Sequence, residues 1–140
     1  MSRLLGLLLL CLALVGCGGG GEDSYKEDFP PIDRGLVALG DEVESGLRAA
    51  DDATLATRFA GYARRLGRLR EQLDDLEPPD NVRKRHEGLL AAMSDTRTDL
   101  DEISSAARQT DAAAAKAAAT ALVRDGSRLD EARRSLAGEL

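Results

Sequence analysis

Residue types that carry enzyme chemistry are scarce in this chain, which has one histidine and two cysteines among its 140 residues. Arg83 stands three residues before His86, so the Glu-x-x-His motif of a di-metal helical bundle is missing. Met93 follows His86 on the same predicted helical face, about 10 Å along the axis, which is too far for both to ligate one haem iron. No Gly-x-Ser-x-Gly motif surrounds any serine. The sequence therefore predicts no catalytic residue, no metal site and no enzyme activity.

His86 is nevertheless the one side chain whose ordinary pKa lies near neutral pH. It falls on the apolar seam of a predicted helix, one turn from the helix start. The common role of such a histidine is a hydrogen-bonded residue at the edge of the core. The alternative is a pH-sensitive structural site, and the sequence leaves both interpretations open.

Both cysteines lie in an N-terminal segment typical of export signals. Arg3 is followed by an apolar stretch from Leu4 to Val15, interrupted by Gly6. This stretch of about a dozen residues is shorter than the roughly 20 that a membrane-spanning helix needs. Cys11 lies inside the stretch and is expected to act as a small hydrophobic residue in a segment that is removed.

The end of the apolar stretch, Leu14-Val15-Gly16-Cys17, resembles the lipobox of bacterial lipoproteins. The resemblance implies that a diacylglyceryl group is attached to the Cys17 thiol and that the chain is cleaved between Gly16 and Cys17. Acyl chains such as palmitate hold a protein at the membrane, because each buried methylene adds about 0.8 kcal/mol. The expected location is the extracytoplasmic face of the cell membrane, inner or outer, with the covalent lipid in place of any cofactor.

Three segments follow along the chain. Residues 1–16 form the signal peptide, and residues 17–29 are predicted to be the lipidated cysteine and a flexible tether. The run Gly18–Gly21 and the polar residues after it predict a coil of about 15 to 20 Å. Tyr25 and Phe29 mark the approach to the folded domain, which is predicted to span residues 30–140.

The apolar residues of the folded domain follow a helical period. Between Asp52 and Pro78 they recur at steps of four and three, and the same steps resume after Pro79. A less regular helix is predicted before this pair, and a last helix is predicted after an N-cap at Thr110 or Asp111. The four apolar faces are Ile32, Leu36, Leu39, Val43, Leu47 and Ala50; Leu55, Phe59, Tyr62, Leu66, Leu69, Leu73 and Leu76; Val82, His86, Leu89, Met93, Thr96, Leu100, Ile103 and Ala107; and Leu122, Leu129, Leu136 and Leu140.

No segment alternates between apolar and polar residues with period two, so no strand is predicted. The short connections between the helices favour antiparallel neighbours, which predicts an all-α, up-down-up-down four-helix bundle. This topology brings the tether, the Pro78-Pro79 turn and the C-terminus to one end. The two central seams leave His86 and Thr96 as the polar residues of the predicted interior.

Charge predicts how the second and third helices pair. The second helix is basic in its first half and acidic in its last turns, and the third helix has its bases first and its acids later. Antiparallel packing would place opposite charges side by side, so ion pairs between these helices are expected. The acidic part of the third helix consists of Asp95, Asp99, Asp101 and Glu102.

An acidic balance, with 25 Asp and Glu against 19 Lys and Arg, argues against a nucleic-acid partner. The pattern Leu73-x-x-Leu76-x-Pro78-Pro79 followed by His86-x-x-Leu89 also resembles small helical lipoproteins of high-GC bacteria, whose function is not established. The expected function is a membrane-anchored, non-catalytic protein-interaction or scaffold module with a partner in the cell envelope. The alternative is a helical bundle that binds or senses a small molecule.

Overall fold

The computed structural model describes residues 20–48 and 51–140, which form four α-helices and contain no strand. Helix α1 spans Gly20–Gly46, α2 spans Asp52–Asp74, α3 spans Arg83–Arg108 and α4 spans Ala112–Ala137. The all-α prediction is therefore confirmed. The predicted signal peptide, the cleavage and lipidation site at Gly16 and Cys17, and Ala50 lie outside the described residues.

Contacts between consecutive helices establish their antiparallel order. The Ser104 hydroxyl, late in α3, donates to the carbonyl of Ala56, early in α2, at 2.8 Å. Arg85, in the first turn of α3, forms an ion pair of 2.8 Å with Glu139, which follows the end of α4. Helix α1 packs along α2 and more lightly against α4, which closes an up-down-up-down bundle. The start of α1, the α2–α3 turn and the end of α4 share one end of it.

Aspartates cap two of the helices. Asp51 accepts a hydrogen bond of 2.8 Å from the backbone N–H of Thr54 at the start of α2. Asp111 accepts from the N–H groups of Ala113 and Ala114 at 3.1 and 3.0 Å at the start of α4. These bonds satisfy amides that have no partner inside the helix. Of the two predicted N-caps of α4, Asp111 is the one that the structure uses.

The predicted apolar seams form the core. All eight predicted seam residues of α3 are buried, and in α2 Phe59, Leu66 and Leu73 are buried while the intervening seam residues are partly buried against them. The pattern is less complete in α1, where Leu47 at the helix end is 42% exposed. The heptad spacing therefore predicted the interior of the α2–α3 hairpin almost residue by residue.

The predicted tether is wrong for residues 20–29, which belong to α1. Tyr25 and Phe29 are each only 2% exposed and their rings stack at 6.1 Å, so the core begins before residue 30. Pro30 and Pro31 lie inside the helix and each removes one backbone hydrogen bond. Helical structure continues through them because Tyr25 and Phe29 extend the apolar face of Ile32 backwards at steps of four and three.

The predicted ion pairs between α2 and α3 are absent from the part of the chain that the structure describes. Arg65 of α2 instead pairs with Glu42 of α1 at 2.5 Å. Arg70 pairs with Asp74 on its own helix at 3.6 Å and donates to Ser94 of α3 at 2.9 Å. Apolar side chains fill the α2–α3 interface, so the flanking charges turn towards other partners.

Candidate functional site

His86 lies at the end of the bundle where α1 starts. The hydroxyl of Tyr25 lies 2.8 Å from Nδ1 of His86, and both residues are buried. A neutral imidazole with an unprotonated Nδ1 accepts a hydrogen bond from this hydroxyl. His86 is thus a hydrogen-bonded histidine at the edge of the core, as predicted. Its partner is Tyr25, a residue of the predicted tether.

Burial makes His86 favour its neutral form. Burial lowers the pKa of His86, and the negative charges of Asp74 and Glu87 oppose this effect while Arg83 adds to it. A lowered pKa in the folded protein contributes stability that is present above about pH 6.5 and is lost as the pH falls through the folded pKa. If the alternative pH-sensitive role holds, acid is the condition that destabilises the Tyr25–His86 contact.

A cavity of about 500 Å³ opens between α1 and α4, the two helices with the lightest mutual packing. Its walls come from residues 36–46 of α1, with Leu47 directly after this helix, and from residues 122–133 of α4. Leu66 of α2 and the α3 residues Thr96 and Leu100 also line it. All four helices contribute, so the cavity reaches between its two walls into the centre of the bundle.

Exposed apolar side chains surround this cavity. The exposed large apolar side chains in the described part of the chain are Val37, Leu47 and Val123, which are 44%, 42% and 65% exposed. All three line the cavity. Apolar exposure that is concentrated at one concave site is typical of binding sites rather than of ordinary protein surface.

Thr96 of α3 lines the inner end of the cavity, but its hydroxyl oxygen is fully buried. The residue is 6% exposed, and its hydroxyl makes no hydrogen bond in the structure. A buried hydroxyl without a partner costs about 1–3 kcal/mol. Sequence periodicity placed Thr96 on the seam of its helix but could not indicate that its hydroxyl would be unpaired.

Charged residues border the cavity at its mouth. Asp41 and Glu44 of α1 face Asp130 of α4 across a lining that includes Arg133. Arg133 bridges Asp33 and Asp130 at 2.9 and 2.8 Å and so ties α1 to α4 at one end of the opening. Glu44 also pairs with Arg48 at 3.6 Å, and Asp130 also pairs with Arg134, so most charges around the cavity have a partner of opposite sign.

A buried pair of carboxyl groups lies elsewhere, between α3 and α4. Asp99 and Asp125 are 6% and 4% exposed, and the charge of Asp125 acts on the carboxyl group of Asp99. Asp125 also forms ion pairs with Arg124 at 2.8 Å and with Arg128 at 3.1 Å. The second carboxyl oxygen of Asp99, Oδ2, has no partner.

Their surroundings shift the pKa values of the two carboxyl groups in opposite directions. Burial, together with the charge of Asp125, raises the pKa of Asp99 to about 6. Hydrogen bonds from Arg124 lower the pKa of Asp125. The pair therefore shares one proton, which resides on Asp99 at mildly acidic pH.

The raised pKa of Asp99 predicts a specific pH dependence of stability. Its contribution is fully present below about pH 4 and is lost as the pH rises through about 6, because the unfolded carboxyl ionises at lower pH. Asp99→Asn keeps a donor towards Asp125 without a charge, so we expect it to stabilise the protein by roughly 1–3 kcal/mol at pH 8 and by little at pH 4. Urea unfolding at the two pH values measures this.

Asp101→Asn is the matched control for the Asp99 variant, because it removes the same charge from an exposed position of the same helix. We expect it to change the free energy of unfolding by less than about 0.5 kcal/mol. Equal effects of both substitutions at both pH values would contradict the assignment of the shared proton.

The sequence pattern did not indicate this carboxyl pair. Asp99 falls in the predicted acidic block of the third helix, and His86 and Thr96 were the polar residues predicted for the interior. Asp125 carried a signal, since it lies three residues after Leu122 and four before Leu129, on the seam of α4. About 20 Å along α3 separates Asp99 from His86, so the structure does not bring the two together.

Within residues 20–48 and 51–140, no group of three or more histidine, cysteine or acidic side chains is arranged to hold a metal ion. None of the helices in these ranges is both long enough and apolar enough to cross a bilayer. Comparisons with models of protein families, with curated proteins and with solved structures find no significant match to this chain.

Proposed function

We propose that this protein is a lipoprotein, anchored by a lipid on Cys17 at the extracytoplasmic face of the cell membrane, whose bundle binds an apolar small molecule without catalysis. The anchoring part rests on the lipobox-like run Leu14-Val15-Gly16-Cys17. Cleavage after Gly16 would make Cys17 the first residue of the mature chain. The membrane, through the lipid, is then the protein's permanent partner.

The cavity between α1 and α4 is the observation that favours small-molecule binding. Its volume of about 500 Å³ falls within the roughly 300–1,000 Å³ of ordinary ligand pockets, and its lining is mostly apolar with few polar groups. A ligand there would cover Val37, Leu47 and Val123, whose exposure to water is unfavourable.

A protein-interaction or scaffold role is the second candidate, and the same exposed side chains favour it. Val37 and Val123 stand on the two walls of the opening, where a partner helix could pack against them. The two candidates differ in what covers these residues. A small molecule would enter between the walls, whereas a helix would rest on the outer edges.

Identifying the molecules that co-purify with the protein distinguishes these two candidate functions. The full-length lipoprotein is solubilised from membranes, denatured and extracted, and the released molecules are identified by mass spectrometry against a mock purification. We expect one non-covalent apolar compound in near-equimolar amount. Recovery of no such compound, together with a protein crosslinked in cells through position 123, would favour the scaffold role.

A further inference from the structure

The first turns of α1, residues 20–29, are attached to the rest of the bundle by few contacts, and we call them the latch segment. Among residues 21–29, Tyr25 and Phe29 are buried and the others are exposed. In the described part of the chain, one side-chain hydrogen bond joins this segment to another helix, between the hydroxyl of Tyr25 and Nδ1 of His86 at 2.8 Å. Its other side-chain hydrogen bonds and its ion pair stay within the segment.

Two prolines separate the latch segment from the remainder of α1. Pro30 and Pro31 directly follow Phe29 and lie inside the helix. In a continuous helix the N–H groups of residues 30–33 donate to the carbonyls of residues 26–29, and the two proline nitrogens have no hydrogen to donate. An isolated helix shorter than about 12–15 residues is only marginally stable in water. The latch segment therefore depends on its side-chain contacts with the bundle.

The contact between Tyr25 and His86 depends on the charge of the imidazole. The two rings are buried, with their centroids 5.8 Å apart. Neutral His86 accepts the hydrogen bond at Nδ1, whereas the imidazolium donates at both nitrogens and presents a second donor to the hydroxyl. The hydroxyl can turn and accept, but the positive charge would still lie in a site with little access to water. Burial raises the pKa of Tyr25 to about 12, so its hydroxyl stays neutral and brings no compensating charge.

Charged groups on the surrounding helices do not remove this dependence. Asp74 of α2 and Glu87 of α3 favour the protonated imidazole, and Arg83 of α3 opposes it. Burial is the largest influence, and the pKa of His86 is lowered by it. The acid that follows the end of α4, Glu139, is held in an ion pair of 2.8 Å with the first turn of α3. Protonation of His86 therefore weakens the docking of the latch segment.

We propose that residues 20–29 are an acid-released latch, which is docked and helical while His86 is neutral and detaches from the bundle when His86 is protonated. Tyr25 and Phe29 leave the core together, because they are the buried side chains of the segment. Residues 32–46 stay packed, since the prolines already interrupt the hydrogen bonds between the two parts of α1.

Release would change the distance between the bundle and its anchor, a consequence that rests on the proposed lipid at Cys17. With the segment docked, the connection from Cys17 to Gly20 spans at most about 11 Å. With the segment detached, the connection from Cys17 to Pro30 spans at most about 47 Å. The bundle would stand close to the membrane at neutral pH and reach further from it in acid.

Hydrogen exchange of the full-length protein at pH 7.5 and 5.0, read by mass spectrometry and corrected for the intrinsic rate at each pH, tests the latch. The measured quantity is the protection of residues 20–29, with residues 32–46 of the same helix as the reference. A released imidazole with the ordinary pKa of about 6.5 raises the opening constant by up to about 30-fold over this interval. We expect a severalfold loss of protection in the latch segment while residues 32–46 keep theirs.

Three variants assign the effect to the two residues. His86→Gln keeps an uncharged side chain that accepts hydrogen bonds, so the protection of the latch segment is expected to be the same at both pH values. Tyr25→Phe keeps the ring that stacks on Phe29 and removes the hydroxyl, so protection at pH 7.5 is expected to fall about two- to tenfold. Tyr62→Phe is the matched control, expected to change nothing in the segment, because the hydroxyl of Tyr62 lies beside Gly46 at the other end of α1.

Each result has a defined meaning. Equal protection of the latch segment at both pH values in the parent, or an unchanged pH dependence in His86→Gln, overturns the latch. Protection lost from residues 32–46 together with residues 20–29 also overturns it, because α1 then detaches as a whole. Equal protection in Tyr25→Phe and Tyr62→Phe would contradict the role of the Tyr25 hydroxyl. Absence of a lipid on Cys17 would remove the change in distance from the membrane and leave the latch itself standing.

Discussion

A Cys17→Ala variant is expected to lose all of its acyl modification. The diacylglyceryl group would be attached to the sulfur atom of Cys17, and alanine offers no nucleophile in its place. Metabolic labelling with a palmitate analogue and the intact mass of the purified protein measure the change. The parent is expected to begin at Cys17 and to carry the added mass of its lipid, whereas the variant carries none and shifts out of the detergent phase.

Cys11→Ala is the matched control for this experiment. Cys11 is the other cysteine of the chain and lies in the segment that cleavage would remove. The variant is therefore expected to give the same mature mass and the same acyl label as the parent. Acyl label that persists in Cys17→Ala, or that disappears in Cys11→Ala, would contradict lipidation at position 17 and the proposed location with it.

The start of α1 at Gly20 sets how closely a lipid on Cys17 would hold the bundle. Two residues lie between Cys17 and the first helical residue, and the three Cα–Cα steps from Cys17 to Gly20 span at most about 11 Å. The predicted tether of about 15 to 20 Å is therefore replaced by a shorter connection. The end of the bundle that contains Tyr25 and His86 would lie next to the lipid headgroups.

Local patterns predicted the features of the fold that depend on one helix or one connection. Apolar steps of four and three identified the seam of α3 because every residue that faces the core repeats on the same stripe. Asp111 was one of two predicted N-caps, with Thr110, because the role of an N-cap depends on amides two and three residues later. The antiparallel order followed from connections too short for any other arrangement.

Features that depend on the distance between two helices were not predictable in this way. The cavity exists because α1 and α4 pack lightly, and no residue on either helix specifies that separation by itself. The carboxyl pair needs Asp99 and Asp125 to meet across two helices. His86 was found on the predicted seam, yet its partner Tyr25 was predicted to lie in the tether because it follows the glycine run and the polar residues after it.

Phe29→Ala is the strongest test of the revised domain boundary. Phe29 is 2% exposed, stacks on Tyr25 at 6.1 Å and directly precedes two prolines. Truncation of a buried phenylalanine costs about 3–5 kcal/mol through lost burial and the cavity left behind. The whole free energy of unfolding of a small domain is about 5–15 kcal/mol. We therefore expect a large fall in the urea concentration at the midpoint of unfolding. Circular dichroism of the full-length protein measures this midpoint.

Glu27→Ala controls for changes in the helix itself, since Glu27 is an exposed residue of the same turns of α1. It is expected to change the free energy of unfolding by less than about 0.5 kcal/mol. Phe29→Leu should recover more than half of the stability lost in Phe29→Ala, because it restores most of the buried apolar volume. If Phe29→Ala unfolds like the parent, residues 20–29 contribute nothing to the core, and the contact between Tyr25 and His86 cannot stabilise the bundle.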